Sequence, residues 1–266
     1  MPYVNRSYDI IGDVAIMCLP ERLRKHRAEV AAAIMNVHRN VKTVFCQVGS
    51  VKGDFRTRAL EHLAGENKTV TVHAESGCKF LVDVKECYFS PRLSYEHMRV
   101  AEQVKKGEIV VNMFAGVGCF SILIAKYVEA SRVYSIDINS TAVQFMRQNI
   151  RVNGVYGRVV PIIGDAKEVI KAGLFNSATR VLMPLPEKAF EYLPYALLTL
   201  KKGGGWIHYY DFEYAKKDVD AVKKVMCKVA EKLENLHVHY VFHFGRIVRS
   251  TGPHWYQVVL DIFIKS

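Results

Sequence analysis

The chain lacks the cysteine spacing of a metal site: its six cysteines (18, 46, 78, 87, 119 and 227) form no Cys-x-x-Cys pair. They read as reduced, mostly buried thiols, which excludes a disulfide-stapled secreted framework and points to the cytoplasm. No apolar run reaches the ~18 residues of a membrane span. The first residues lead straight into a strand pattern, so no secretory signal is expected. There is no internal repeat and no low-complexity stretch. Acidic residues are in deficit: 26 Asp and Glu stand against 37 Lys and Arg, a formal charge of +11 over 266 residues. Such an excess favours a polyanionic partner, nucleic acid first.

What is present is organised around Ile109-Val110-Val111-Asn112-Met113-Phe114-Ala115-Gly116-Val117-Gly118. It reads as a buried parallel strand running into a glycine turn and then a helix. A second strand, Arg132-Val133-Tyr134-Ser135-Ile136-Asp137, ends on a carboxylate 19 residues after Gly118. An acid at that place takes the hydroxyls of a ribose. A third strand ends in Gly164-Asp165-Ala166, which suits a hydrogen bond to an adenine amine. Two cofactors fit. A dinucleotide wants G-x-G-x-x-G, but the third glycine position holds Ser121, and no basic residue stands beside Asp137 for a 2′-phosphate. S-adenosylmethionine wants a shorter turn with little phosphate chemistry, and the pattern favours it. The plain alternative is that both acids are helix caps.

The first hundred residues or so read as a small α+β unit. Residues 8–17 predict one strand bent at Gly12; a helix opens at Pro20-Glu21, and residues 41–48, 69–75 and 80–84 predict further strands. Arg56 and Arg58, spaced i, i+2, project to one side if that segment is extended, able to hold a phosphate or a base carbonyl. Pro91 then breaks the chain, and Ser94 is expected to cap a helix carrying Glu96 in its first turn, a place the helix dipole favours for any carboxylate. From Ile109 onward strand and helix alternate, predicting a doubly wound parallel sheet. Pro184 and Pro186 stiffen the loop after its fourth strand, and two last strands predict an antiparallel pair at the edge. His208, Tyr209 and Tyr210 are expected to pack in the fifth strand rather than wall a pocket. His237, His239 and His243 alternate but give no converging ligand set, so no metal is expected.

Together, Phe89-Ser90-Pro91-Arg92-Leu93, Glu96, Met113-Phe114-Ala115-Gly116-Val117-Gly118, Asp137-Ile138-Asn139 and Met183-Pro184-Leu185-Pro186 resemble the archaeal and eukaryotic tRNA (guanine-37-N1)-methyltransferase family, including its archaeal wyosine-pathway branch. The resemblance covers nearly the whole chain. It implies an α/β class I (Rossmann-like) methyltransferase with a seven-stranded, mostly parallel sheet over residues 88–266, and a small RNA-contacting α+β domain over residues 1–87. It further implies methyl transfer from S-adenosylmethionine to the purine at position 37 of tRNA, by a cytoplasmic, monomeric enzyme without metal. Glu96 would be the general base, Arg56 the screen for charge on the purine oxygen, and Pro184 part of the catalytic loop. Arg92, His97, Phe114, Ala115, Gly116, Gly118, Phe120, Asp137, Ile138, Asp165 and Ala166 would hold the cofactor. Arg58, Ser90, Pro91 and Pro186 would join Arg56 at the RNA.

Three departures bear on the reaction. The family commonly has Asn-Leu-Pro or Asn-Pro-Pro where this chain has Pro184-Leu185-Pro186, so an amide donor and acceptor is missing at the target base. Guanine N1 methylation requires loss of the N1 proton, and members with Pro there resemble enzymes that methylate C7 of 4-demethylwyosine. His97 stands where the family often has Arg. Many relatives also carry an extra N-terminal domain that grips the tRNA elbow. The alternatives are aminocarboxypropyl transfer from the same cofactor, and a non-catalytic tRNA-binding protein.

Overall fold

The computed structural model describes residues 8–49, 53, 57–128 and 132–265. Residues 8–17 form two strands rather than one. β1 (Tyr8–Ile11) and β2 (Val14–Met17) pair antiparallel about Gly12. Gly12 has φ +58° and lies so close to the next hairpin that a Cβ would sit 2.4 Å from the Val72 carbonyl oxygen. That close approach turns the expected bend into a reversal. α1 (Arg27–Val37) crosses over to β3 (Thr43–Gln47), parallel to β2, and β4 (Leu60–Gly65) closes the sheet order β1-β2-β3-β4. β4 has no signature in the sequence. Leu-Glu-His-Leu-Ala carries no β-branched residue, and it is pairing with β3 that makes it a strand.

β5 (Val70–Glu75) and β6 (Cys78–Asp83) form a hairpin whose turn residues Ser76 and Gly77 both have positive φ, as a two-residue loop matched to strand twist requires. A single helix covers the hairpin's free edge. On α4 (Ser140–Val152), Asn149 and, just past its end, Asn153 lie one turn apart. The Asn149 amide accepts from the Leu81 N–H at 2.7 Å and donates to its carbonyl at 3.0 Å; Asn153 does the same for Lys79 at 2.9 and 2.7 Å. Two asparagines thus satisfy four backbone groups that an edge strand would otherwise expose.

Ser94 does not cap the following helix. A 3₁₀ turn over Pro91–Leu93 runs directly into α2 (Ser94–Gln103), and Leu93 occupies the cap place without a side-chain bond. Then come β7 (Ile109–Asn112), α3 (Cys119–Tyr127), β8 (Arg132–Asp137), α4, β9 (Val159–Ile163), α5 (Ala166–Gly173), β10 (Arg180–Met183), α6 (Pro186–Thr199), β11 (Gly205–Tyr214), α7 (Ala221–Asn235), β12 (Tyr240–Gly252) and β13 (Trp255–Ile264). Their seven-stranded order is β12-β13-β11-β10-β7-β8-β9, parallel from β11 to β9, with β13 antiparallel to both its neighbours. α2, α3 and α4 cover one face with Val110, Leu182, Tyr210 and Val259; α5, α6 and α7 cover the other with Val111, Val181, Met183, Ile207 and Leu260.

The first face is not wholly apolar. Strand register puts His208, Tyr210, Asp261 and Gln257 on it. The first two of three bulges in β12, between Phe242 and Phe244 and between Ile247 and Arg249, shift the strand's phase; the third lies between Ser250 and Gly252. Phe244 therefore stands opposite Asp261, Arg246 opposite Val259 and Arg249 opposite Gln257, all on that same side. Under α2 a buried polar seam results. Glu108 holds Arg180 Nε at 2.7 Å; Arg180 Nη1 reaches His208 Nε2 at 2.7 Å; His208 Nδ1 reaches Asp261 at 2.6 Å; Asp261 takes Arg99 Nη1 at 2.6 Å. Arg99 then donates to both oxygens of Glu96. A guanidinium can only donate, so His208 accepts on Nε2 and carries its proton on Nδ1, toward Asp261. Burial holds this imidazole neutral by pushing its pKa down.

Burial pushes the Glu96 and Asp261 carboxyls up, but the bonds they accept outweigh it and leave both below the usual carboxylate range. Their contribution to stability is therefore present above the unfolded pKa, about 4, and is lost as pH falls through the lower folded values. Asp261→Asn should cost about 3–5 kcal/mol at neutral pH, because it leaves Arg99 buried with one full carboxylate fewer. It should also flatten the loss of stability in acid. Urea titrations of both proteins at a series of pH values check this; equal stability at neutral pH would remove the seam from the account.

Candidate active site

The carboxyl ends of β7, β8, β9 and β10 meet at a cavity of about 540 Å³, the place where open α/β sheets bind ligands. The turn after β7 is held by its own backbone: Ala115 N–H donates to the Ile136 carbonyl at 2.8 Å, and Gly118 N–H to the Ala115 carbonyl at 2.9 Å. Gly118 has φ +98°, and a Cβ there would lie 2.8 Å from Met146 Cγ, so glycine is required. Gly116, at φ +56°, gives its N–H to Asp137 Oδ2 at 2.6 Å. Asp137 Oδ1 takes the Asn139 N–H at 2.9 Å. The Asn139 side chain caps α4, accepting from Thr141 and Ala142, which leaves Asp137 free of that task. Burial raises the Asp137 pKa, against the two backbone bonds that lower it.

Asp165 does cap its helix, accepting from Lys167 N–H at 2.9 Å, and it also lines the cavity. Its second oxygen accepts from the Tyr192 hydroxyl at 2.8 Å, while the Tyr192 ring packs edge-on against Phe114 with centroids 5.3 Å apart. Between the two acids the walls are Met113, Phe114, Ile138, Ala142, Ala166, Pro184 and Leu185. A largely apolar slot lined by both carboxylates, with Lys167, Glu187, Lys188 and Glu191 also on its wall, fits an adenosine, diol toward Asp137 and amine toward Asp165. It fits a pyrophosphate poorly, because both glycine N–H groups of the turn are already donated inside the protein.

The structure thus brings together Phe114, Gly116, Asp137, Ile138, Asp165, Ala166 and Pro184 from the sequence reading. Ala115 and Gly118 are buried in the turn behind them. The others lie elsewhere. His97 donates through Nδ1 to Glu75 at 2.6 Å and packs on Phe120, whose ring leads on toward Tyr210; neither lines the cavity. Arg92 pairs with Asp9 of β1 at 2.6 Å. Arg58 is buried, donating to the Phe89 carbonyl at 2.9 Å beside the Tyr88 ring. Ser90 accepts from Arg249 at 2.8 Å, Pro91 opens the 3₁₀ turn, and Pro186 is buried at the start of α6. Arg56 lies outside the described residues. Glu96 is 1% exposed; besides Arg99 it accepts from the Tyr210 hydroxyl at 2.7 Å and from Arg246. Tyr88 and Tyr192 line the cavity and were not among the expected residues. Tyr88 also accepts from Arg249 at 2.9 Å. Among the described residues no cluster of three or more His, Cys, Asp or Glu side chains is placed to hold a metal ion, and no helix is long and apolar enough to cross a membrane.

A strand order with an antiparallel closing hairpin and an adenosine-shaped slot over the glycine turn defines a class I S-adenosylmethionine-dependent methyltransferase. Comparison with known proteins carries this further. Residues 71–239 match the model of the TRM5/TYW2 methyltransferase domain, and residues 1–69 that of the TYW2 N-terminal domain. The chain is 39% identical to the tRNA (guanine(37)-N(1))-methyltransferase Trm5b of Pyrococcus abyssi, over 99% of this chain and 76% of that one. Its crystal structure superposes with a TM-score of 0.87, covering 98% and 76% of the two chains. Identity is 40% to the tRNA 4-demethylwyosine(37)-methyltransferase Taw21 of Saccharolobus solfataricus, over 97% and 93%. It is 37% to the tRNA(Phe) (4-demethylwyosine(37)-C(7)) aminocarboxypropyltransferase of Pyrococcus horikoshii, over 95% and 87%. The chain belongs to the TRM5/TYW2 family. It is an S-adenosylmethionine-dependent tRNA methyltransferase.

Asp137→Ala should weaken S-adenosylmethionine binding about 10- to 100-fold, the worth of hydrogen bonds to a charged acceptor (about 1.5–3 kcal/mol). Calorimetry should show the same loss for adenosine, because the diol is common to both. Unchanged affinity for either would move the ribose away from β8.

Proposed function

We propose that this enzyme methylates the purine at position 37 of tRNA, at C7 of 4-demethylwyosine in preference to N1 of guanosine. The observation that carries this reading is Pro184 at the cavity wall, where a proline has no N–H and no side-chain amide to meet a guanine edge. C7 of the tricyclic base is carbon and needs shape, not a hydrogen-bond partner. The 40% identity to Taw21 over nearly the full length of both chains supports the same choice.

When bound, the sulfonium supplies an activated methyl group. The protein's share is placement, a base and charge screening. In this reading Asp137 and Asp165 hold the two ends of the adenosine, and Pro184-Leu185-Pro186 forms a stiff wall beside the base. Glu96 takes the proton that the purine loses, and Arg56 screens the purine oxygen. Ser90 and Pro91 set the start of α2 and with it the place of Glu96.

A second reading is aminocarboxypropyl transfer. The match of residues 1–69 to the TYW2 N-terminal domain and the 37% identity to the Pyrococcus horikoshii transferase favour it. Mass spectrometry of the nucleoside at position 37 decides: tRNA bearing 4-demethylwyosine or guanosine should gain one methyl group, with 4-demethylwyosine the better substrate. Gain of the aminocarboxypropyl group would replace the first reading with the second.

Glu96→Gln should lower the single-turnover rate about 10²- to 10⁴-fold, as loss of a general base does, and leave cofactor affinity nearly intact. Pro184→Asn restores the missing amide and should raise guanosine methylation relative to 4-demethylwyosine by about tenfold, the worth of one hydrogen bond at about 1.4 kcal/mol. A product ratio unmoved by that change would take the selectivity away from this loop.

A further inference from the structure

Resting on the reading of Glu96 as base, we infer that Arg246 is a gate on that carboxylate: it covers Glu96 in the free enzyme and leaves it for a phosphate of the incoming tRNA. Glu96 has no open side. Oε1 takes Arg99 and Tyr210, and Oε2 takes Arg99 and Arg246. A carboxylate so engaged, and 1% exposed, cannot meet a purine. One partner has to go.

The three partners are not equally held. Arg99, on α2, is pinned from its other side by Asp261 of β13, at 2.6 and 3.1 Å, and its side chain is 10% exposed. Tyr210 is 1% exposed in a strand with neighbours on both sides. Arg246 stands on the sheet's edge strand, and its side chain is 29% exposed. Its Nε is buried with no hydrogen-bond partner among the described residues, so its bonding is incomplete in this arrangement. Its guanidinium lies 4.8 Å from the centroid of the Tyr95 ring, which is 69% exposed and offers a face to slide over. The bulge at the Ile247/Arg249 step puts Arg249 on the same side, where it bonds Ser90 and the cavity-lining Tyr88. The strand that carries Arg246 thereby also touches the cavity lining, through Arg249 and Tyr88.

A planar guanidinium matches a phosphate as well as a carboxylate. Its departure opens Oε2 and removes a cation from Glu96, which leaves Arg99 and Tyr210 facing it and Asp261 behind Arg99. Burial then counts for more, and the carboxyl becomes the better base. Displacement thus opens and activates the same group.

The test uses Arg246→Gln, with Arg246→Met, which keeps the packing on Tyr95, where the Gln variant does not fold. The kcat/KM profile reports the free enzyme and the kcat profile the bound one. The variant should move the acid limb of kcat/KM upward by about one pH unit or more, the effect of removing one adjacent cation, and leave the acid limb of kcat in place. The salt slope of tRNA binding should fall by about 0.7, one phosphate contact on a single strand, with S-adenosylmethionine affinity unchanged. Limbs that move together would mean that Arg246 stays on Glu96 through turnover; limbs that both stay, or an unchanged slope, would make it a structural residue. Each result overturns the gate. Glu96→Gln with full turnover would instead sink the base reading beneath it, and so tells the two failures apart.

Discussion

Two carboxylates cannot lie beneath a helix in a packed interface without cations between them, and that constraint fixes how α2 sits on the sheet. Glu96 and Asp261 are 1% exposed each and share Arg99, which donates to both. Asp261 is steadied in turn by the neutral His208, and His208 by Arg180, which Glu108 neutralises. With Arg246 included, three guanidiniums match three carboxylates, and an imidazole sits uncharged among them. Removing any one member leaves its neighbour charged and dry, so the helix has one place to dock. The Ser90-Pro91-Arg92 segment is the lead-in to that helix. The seam therefore carries the position of Glu96, and of the chain entering it, back to three strands of the sheet.

The bulges in β12 are the less obvious half of the same device. A regular strand would alternate Phe244, Arg246 and Val248 on one face and put Arg249 on the other. The extra residue between Ile247 and Arg249 reverses that phase and sends Arg249 to Ser90 and Tyr88. One edge strand thus delivers one arginine to the proposed base and another to Tyr88, which lines the cavity. The hairpin docked on α4 by Asn149 and Asn153 applies a similar economy, since side chains close a sheet edge that has no strand to close it.

What the sequence made legible was local. The glycine turn, Asp137 and Asp165 are each signalled within a few residues of a strand end, and the cavity gathers all three regions. The sheet was legible for the same reason, as its strands and helices alternate in order. What escaped depends on residues far apart in the chain. Arg99 and Asp261 are separated by 162 positions, and Arg246 and Glu96 by 150. β4 exists because β3 offers it hydrogen bonds, not because Leu-Glu-His-Leu-Ala prefers to extend. His97 was expected at the cofactor; the hairpin's Glu75 holds it instead, a partner 22 residues earlier with no motif to announce it. Alternation in β11 and β13 did hold a clue. His208 and Tyr210 share a face with Gln257 and Asp261, and a polar stripe on an otherwise apolar strand pair calls for a partner overhead.

A base sealed by three donors is a poor base, and that has a use in an enzyme whose substrate is one nucleotide of a large polyanion. A free purine nucleoside brings shape but no phosphate to draw a guanidinium away, and would meet a closed carboxylate. A tRNA brings both. In the proposed gate the interaction energy of its backbone goes into opening Glu96 instead of into tighter binding, and remote contacts become rate. Specificity for the polymer and activation of the base would be one event, as in other enzymes where the correct substrate assembles the site it needs. In the same proposal the cofactor slot needs no such gate: among the described residues Asp137 and Asp165 pair with no guanidinium, and their partners are backbone N–H groups, the Tyr192 hydroxyl and, at 3.9 Å, the Lys167 ammonium. The order that the proposed gate implies is cofactor into a preformed slot and RNA into a site that it must open.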